Sequence, residues 1–193
     1  MKSQKLALLV WGVSIAFVAG PEAGEVAVTG VCVTNEVVLS DFLKVRGLEL
    51  ISKGKEVTLK LPEAKSRSGR SWTQIRILDK KVEQAIIDAI RTQRTSAAPK
   101  KKPSYKIADW INIGEGESSW EGPGELKIVA WVTFDDTVSV KCKLLETRRG
   151  LMVSWPVQPT SDNGLIPIVS VTDEGLRKEI EKAIVDKYKR HEP

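Results

Sequence analysis

Two stretches of the chain place apolar residues every three or four positions, which is the spacing of an amphipathic helix. One stretch closes the N-terminal half, and the other closes the chain. Asp79 precedes the first stretch, and Thr172 or Asp173 precedes the second, where short polar side chains cap helices. The predicted buried positions are Val82, Ala85, Ile86, Ala89 and Ile90 in the first helix, and Leu176, Ile180, Ala183, Ile184 and Tyr188 in the second.

Each helix follows several short aliphatic and β-branched runs separated by turn signals, which predicts a mainly antiparallel sheet. The expected strands are 25–33, 37–43, 56–62 and 72–77 in the first half, and 125–134, 137–145, 150–156 and 165–171 in the second. Pro62 and Pro156 mark strand ends, because proline cannot donate to a ladder. The polar stretches 63–71 and 157–164 are expected to be loops, and Asp135–Asp136 is expected to be a turn rather than a metal site.

The two halves also resemble each other in sequence. Residues 82–90 and 180–188 share four identities at an offset of 98, with shorter matches at offsets of 100 (24–26 with 124–126) and 101 (5–7 with 106–108). Three matches in the same order indicate an internal duplication. Chance similarity between two amphipathic helices is the alternative.

These patterns predict an α+β fold with two tandem units, each a small, mostly antiparallel β-sheet with a C-terminal helix. The units are residues 1–95 and 105–193, joined by a linker at 96–104 in which two prolines flank three lysines. Units of this size gain stability from packing against a partner. We therefore expect the two units to pack together as an intramolecular pseudo-dimer.

The N-terminal segment has the form of a secretory signal, because Lys2 and Lys5 precede an apolar run that continues to Val18. Its cleavage region is poor, since Pro21 would follow the cut. The run is short and interrupted for a membrane span, and it aligns with the start of the second unit. We expect it to form the first strand of a cytoplasmic protein without membrane contact, with secretion as the alternative.

Charge is distributed unevenly along the 193 residues. The net charge of +5 arises from +5 in residues 1–95, +3 in the linker and −3 in residues 105–193. A localised basic surface attracts polyanions. The alternative is a solvated face with no partner.

The inventory of reactive side chains is small. The sequence has two cysteines, Cys32 and Cys142, both in strand-like runs, and one histidine, His191, near the C-terminus. We interpret the cysteines as buried, reduced thiols. No nucleophile–base pair, metal-ligand spacing or glycine-rich phosphate loop stands out, so we expect a non-enzymatic protein without cofactor or metal.

Several segments resemble the SpoVG family (stage V sporulation protein G, also called the septation protein). Residues 150–156 read Gly-Leu-Met-Val-Ser-Trp-Pro and are similar to the family's Gly-Leu-Phe-Val-Ala-Met-Pro. Residues 183–190 are similar to its Ala-Val-Leu-x-x-Tyr-His-Arg ending, and residues 132–135 to its Val-Thr-Leu-Asp. The first unit matches more weakly, with residues 37–42 similar to Phe-Val-Val-His-Asp-Ile.

The resemblance implies a small mixed sheet with a C-terminal helix that pairs as a homodimer and binds DNA and RNA. It associates the protein with septation, cell division and sporulation. Family members carry a basic stretch after the Met-Pro motif. Here residues 157–163 of the second unit lack basic side chains, whereas residues 63–70 of the first unit retain them. This difference predicts asymmetric binding of DNA or RNA.

The candidate nucleic-acid-binding residues follow from this asymmetry and are all in the first unit and the linker. They are Lys65, Arg67, Arg70, Trp72, Arg76, Lys100, Lys101 and Lys102. The basic side chains suit phosphates, and Trp72 could stack on an unpaired base or belong to the core. The alternative function is a protein-interaction or assembly module that uses exposed sheet edges. Association between copies of the pseudo-dimer stays open.

Overall fold

The structure is a computed structural model that describes residues 28–32, 36–54, 56–65, 71–96, 102–112, 124–159 and 164–191. Within these residues the chain is mixed α+β, with mostly antiparallel sheets and two helices. The apolar N-terminal segment, which we expected to form the first strand, lies outside the described residues.

Among the described residues, eight strands precede the first helix, and seven more lie between the two helices. The first set comprises β1 (Val28–Cys32), β2 (Glu36–Leu39), β3 (Leu43–Val45), β4 (Glu49–Lys53), β5 (Glu56–Lys60), β6 (Glu63–Lys65), β7 (Ser71–Thr73) and β8 (Ile75–Ile77), followed by α1 (Lys80–Thr92). The second set comprises β9 (Tyr105–Asn112), β10 (Glu125–Phe134), β11 (Val138–Thr147), β12 (Gly150–Ser154), β13 (Val157–Pro159), β14 (Leu165–Pro167) and β15 (Val169–Val171), followed by α2 (Glu174–His191).

Each of the two larger sheets is formed mainly by one half of the sequence and contains one strand from the opposite half. The four-stranded sheet has the order β1-β2-β3-β15, so its last strand comes from the C-terminal half. In the five-stranded sheet, β12-β11-β10-β9 is joined by β8 from the N-terminal half, which pairs with β11. The two halves therefore exchange strands and are interlocked.

Strand β8 is fixed to β11 at both of its ends. The Leu78 N–H donates to the Thr137 carbonyl oxygen at 2.6 Å, and the Lys141 N–H donates to the Gln74 carbonyl oxygen at 2.9 Å. Three antiparallel residue pairs lie between these two bonds.

Strand β15 is fixed to β3 in the same way. The Thr172 N–H donates to the Phe42 carbonyl oxygen at 2.8 Å, and the Arg46 N–H donates to the Ile168 carbonyl oxygen at 2.8 Å. Three antiparallel pairs again lie between them. Each exchanged strand thus makes the same pattern of backbone bonds with the opposite half.

Both halves contribute to one continuous hydrophobic core. Phe42 and Phe134, one from each half, lie with their ring centroids 5.2 Å apart at an interplanar angle of 45°. Such tilted aromatic pairs add stability beyond the apolar area that they bury. Because the core crosses between the halves, the exchanged strands and both helices pack against shared side chains.

Two tight turns organise the strand pairs. Asp135 and Asp136 have φ values of 44° and 56° and join β10 to β11, which confirms the predicted turn and the strand 125–134. Ser40 and Asp41 have φ values of 48° and 59° and join β2 to β3. Two consecutive left-handed residues match the twist of a hairpin. The single strand expected at 37–43 was therefore wrong, because this second turn divides it.

Three further hairpins among the described residues form two-stranded sheets of their own. Strand β4, which the sequence did not predict, pairs with β5. The expected loops at 63–71 and 157–164 instead contribute strands to the hairpins β6–β7 and β13–β14. The expected last strands divide at Gln74 and Ile168, so that one part joins a hairpin and the next part crosses to the opposite half.

The helices begin at the predicted aspartates. The Asp79 side chain accepts a hydrogen bond from Lys81 N–H at 2.8 Å, and Asp173 Oδ1 accepts one from Leu176 N–H at 2.9 Å. The buried side of α1 differs from the prediction at two positions, because Ala85 is exposed and Ile87, which was not predicted, is buried. The predicted residues that are buried are Val82, Ile86 and Ala89 in α1, and Leu176, Ile180 and Ile184 in α2.

Candidate functional site

The first group of candidate residues belongs to the hairpin β6–β7. Lys65 pairs with Ser71 at the end of the ladder next to the connection 66–70, and Trp72 lies opposite Ala64. The Trp72 side chain is 38% exposed, so part of the indole is accessible to a ligand. Arg67 and Arg70 lie in the connection 66–70, outside the described residues.

Arg76 takes part in the five-stranded sheet rather than in the hairpin. It lies on β8 opposite Ser139 of β11. Its guanidinium Nη1 is 3.0 Å from Asp109 Oδ2, and its Cζ lies 3.9 Å from the ring centroid of Trp131. A guanidinium at this distance makes a cation–π contact, and its outer N–H groups remain suited to phosphate oxygens.

The linker lysines divide between described and masked parts of the chain. Lys100 and Lys101 lie outside the described residues. The Lys102 ammonium is 2.7 Å from Glu179 Oε2 of α2, and this carboxylate raises the pKa of Lys102. A phosphate would therefore have to compete with Glu179 for the Lys102 ammonium.

The sequence analysis did not single out Lys141, which lies near Arg76, or Lys143, which follows two positions further along β11. Lys141 and Lys143 are half-buried on β11, and the Lys141 Nζ is 5.8 Å from the centroid of Trp131. Burial and the neighbouring Arg76 lower the pKa of Lys141. Burial and the neighbouring Lys141 lower the pKa of Lys143 to about 8. The alternation of 138–144 already indicated that these lysines share the face opposite the core.

A third lysine of the same sheet is neutralised by its neighbours. Lys127 Nζ lies 3.0 Å from Glu125 Oε1 and 2.7 Å from Glu146 Oε2. The two carboxylates, Glu146 first, raise the pKa of Lys127. Lys127 is thus enclosed by two carboxylates, and its pKa shifts in the direction opposite to that of Lys141.

The described residues offer little for bond-making chemistry. They contain no group of three or more histidine, cysteine, aspartate or glutamate side chains that could hold a metal ion. Cys142 is a free and buried thiol, and burial raises its pKa, which disfavours the reactive thiolate. The side chain of Cys32 is not described. Neither described helix has the length and apolar character needed to cross a bilayer.

The fold and its surface define a mixed α+β protein with interlocked antiparallel sheets, in which cations dominate the candidate sites. Comparison with known proteins gives the family: the SpoVG family model matches residues 116–190. The putative septation protein SpoVG of Clostridium perfringens strain SM101 is 32% identical over 68 residues, which cover 35% of this chain and 76% of that protein. The putative septation proteins SpoVG of C. perfringens strains ATCC 13124 and 13 are each 31% identical over 68 residues. The chain belongs to the SpoVG family, and no solved structure matches it significantly.

Proposed function

We propose that this chain is a non-enzymatic, cytoplasmic, nucleic-acid-binding regulator related to septation and sporulation proteins. Membership of the SpoVG family is the observation that carries this proposal. The binding residues are the basic positions of the first half and the linker, from Lys65 to Lys102. Binding needs no catalytic group, metal or cofactor.

We also propose that the chain is a tandem pseudo-dimer with units 1–95 and 105–193 joined by the linker 96–104. The reciprocal exchange of β8 and β15 supports this, because each of these strands directly precedes a helix. Each also pairs with a strand of the opposite half that begins just after a left-handed turn. The matching helix caps Asp79 and Asp173 add to it, since each follows its exchanged strand by two residues. In this interpretation the linker keeps the two different units together in a one-to-one ratio.

The position of Lys65 in the hairpin β6–β7 supports binding by the first unit. Lys65 is the last residue of β6, next to the connection 66–70 that contains Arg67 and Arg70 in sequence, and Trp72 is partly accessible on the same hairpin. Cations on such a connection can reach phosphates, and each phosphate that they neutralise releases counterions. The corresponding hairpin β13–β14 consists of uncharged residues, which agrees with asymmetric binding.

The test is a titration of labelled single-stranded DNA, duplex DNA and RNA, followed by fluorescence anisotropy at several salt concentrations. Replacing Lys65, Arg67 and Arg70 by Gln should weaken binding and lower the salt slope for single strands by about 2, at roughly 0.7 per phosphate contact. A matched control replaces Lys80, Lys81 and Lys182 on the two helices, which removes the same charge and should leave the slope unchanged. Wild-type affinity in the hairpin variant would refute this site.

The hairpin β13–β14 favours a second candidate function, a protein-interaction or assembly module. Leu165 is 66% exposed and Ile166 is 47% exposed on this hairpin. Pro167 lies opposite Val157, so the N–H groups available for adding another strand are reduced there. A protein partner would bind through these apolar side chains.

The two functions differ in what accompanies the purified protein. A nucleic-acid-binding regulator should co-purify with nucleic acid at low salt, and its 260/280 nm absorbance ratio should fall after a high-salt wash. An assembly module should show a protein-like ratio at both salt levels. Substitution of Leu165 and Ile166 by Ser should then abolish a stable partner or oligomer on size-exclusion chromatography.

A further inference from the structure

The outer face of the five-stranded sheet carries two cations at one indole ring, with a third cation two positions further along the same strand. We call this the Trp131 face, and it comprises Arg76, Trp131, Lys141 and Lys143. The Arg76 Cζ and the Lys141 Nζ lie 3.9 and 5.8 Å from the same ring centroid, so these two cations are less than 10 Å apart. The residues that alternate with the two lysines on β11 are buried in the core, which fixes both lysines on the outer side.

Arg76 and Lys141 of the Trp131 face differ in their surroundings. Asp109 pairs with Arg76, and this aspartate is itself largely exposed. The pKa of Lys141 is lowered, first by burial and then by the neighbouring Arg76. A lysine inside a well-matched ion pair shows the opposite direction, as Lys127 does on the same sheet.

The four-stranded sheet provides an internal comparison. Glu36 lies four residues before the left-handed Ser40, as Trp131 lies four residues before the left-handed Asp135. On that sheet the Glu36 carboxylate pairs with Lys44 at 3.0 Å and with Arg46.

Arg46 and Lys141 hold equivalent places, because each donates its N–H to the residue just before an exchanged strand. One position therefore holds a carboxylate that neutralises its basic neighbours, and the other holds Trp131, which does not. The comparison identifies the Trp131 face as the more cationic of two otherwise similar sheet faces.

We propose that the Trp131 face is a second binding surface, which takes the sugar–phosphate backbone of single-stranded nucleic acid. The proposal rests on the proposed function for the class of ligand. The Arg76 guanidinium offers N–H groups suited to phosphate oxygens, and the two lysines add point charges along β11. The Trp131 ring is 4% exposed beneath these cations, so its role is to hold Arg76 rather than to stack on a base.

Apolar side chains border the cations on both sides. Ile111 of β9 is 54% exposed, and Met152 of β12 is 47% exposed. Ile111 pairs with Val129 and Met152 pairs with Leu145, which places them on the two flanking strands of the sheet. Unpaired bases present apolar faces that such side chains can contact, whereas the bases of a duplex are stacked inside it. This arrangement favours a single strand over a duplex.

The experiment measures the affinity of wild-type protein and variants for labelled oligothymidylate and oligouridylate between low and high salt. Each lost phosphate contact should lower the slope of log K against log salt by about 0.7 for a single strand. Lys141→Gln should therefore weaken binding about fivefold at 0.1 M salt, and the Lys141→Gln/Lys143→Gln variant about 25-fold. Arg46→Gln removes the same charge from the equivalent place on the other sheet and should bind as wild type.

Lysine footprinting on the wild-type chain gives a second measurement that does not depend on how the variants fold. An amine-acetylating reagent is applied with and without oligothymidylate, and the modified lysines are quantified by mass spectrometry. Lys141 and Lys143 should be protected by the oligonucleotide, and Lys44 should not. Unchanged acetylation of Lys141 and Lys143 in the presence of saturating oligonucleotide would overturn the proposal.

The outcomes separate this proposal from the proposed function. If the hairpin variant at Lys65, Arg67 and Arg70 loses binding while Lys141→Gln keeps wild-type affinity and slope, the Trp131 face is refuted and the function stands. If Arg46→Gln weakens binding as much as Lys141→Gln, the loss of affinity reflects the net charge of the protein. The Trp131 face is then also refuted as a binding surface. If polyglutamate protects the two lysines and no oligonucleotide binds, both the face as a nucleic-acid site and the proposed function fail.

Discussion

Replacing Ile75 by Ala tests whether the exchange of strands couples the two halves. Ile75 is 1% exposed on β8 and pairs with Val140 of β11, so it belongs to the N-terminal half in sequence and to the C-terminal sheet in space. Deleting a fully buried Ile side chain to Ala typically costs about 2–5 kcal/mol, and we expect about 3 kcal/mol. For a chain of this length, that loss corresponds to a fall in Tm of roughly 6–12 °C.

The assay is urea unfolding followed by tryptophan fluorescence. Four of the six tryptophans lie in residues 105–193, so the signal reports mainly on the half that does not contain Ile75 in its sequence. We expect one cooperative transition with a lowered midpoint. Ile51→Ala is the control, since Ile51 is 39% exposed on β4 and should cost less than about 1 kcal/mol. Two successive fluorescence transitions, of which Ile75→Ala shifts only one, would show that the halves unfold separately and would refute the coupling.

Three further predictions concern single sites. Because its basic partners hold the pKa of Glu36 below its ordinary value of 4.5, this carboxylate stabilises the fold above pH 4.5 and loses that effect as pH falls; Glu36→Gln should therefore flatten the acid limb of a stability–pH profile. Gly124→Ala should destabilise by about 1–3 kcal/mol in thermal melts, because φ is +84° and the new Cβ would lie 2.7 Å from the Glu146 carbonyl oxygen. Gly54→Ala, at φ +65° with open space, should cost less. Asp79→Ala should remove the α1 cap and cost about 1 kcal/mol by urea titration.

The parts of the fold that the sequence predicted are those with strong local signals. Strand 125–134 is a long apolar run that ends in two aspartates, and both its limits agree with β10. The start of α1 could be predicted because the Asp79 side chain caps the first turn of the helix that follows it. Strand exchange lacks such a signal, because the alternation in β8 and β15 is the same whichever sheet they join.

The alignment of the two halves shows how periodicity misleads. The sequence comparison placed Val82 opposite Ile180, whereas the caps Asp79 and Asp173 place Val82 opposite Leu176. The two alignments differ by four residues, or about one helical turn. An amphipathic helix keeps its apolar face under such a shift, so sequence similarity alone cannot distinguish the two registers.

The candidate site was predicted where charge is concentrated in the sequence, as in the lysines of the linker. Lys102 nevertheless pairs with Glu179, which is 77 residues away along the chain. Lys141 and Lys143 were not among the candidate residues, and single lysines that alternate along a strand are common on solvated faces. The exchange of β8 brings Arg76 near Lys141, which the sequence alone does not indicate.

The proposed covalent pseudo-dimer would allow two similar sheet faces of one chain to carry different side chains. In a homodimer of identical chains, any residue at the place of Trp131 would occur on both sheets. Two units in one chain can differ, so Glu36 can neutralise its neighbours on one sheet while Trp131 supports Arg76 on the other. The proposed duplication and the proposed single-stranded site are therefore linked, since the second requires the asymmetry that the first permits.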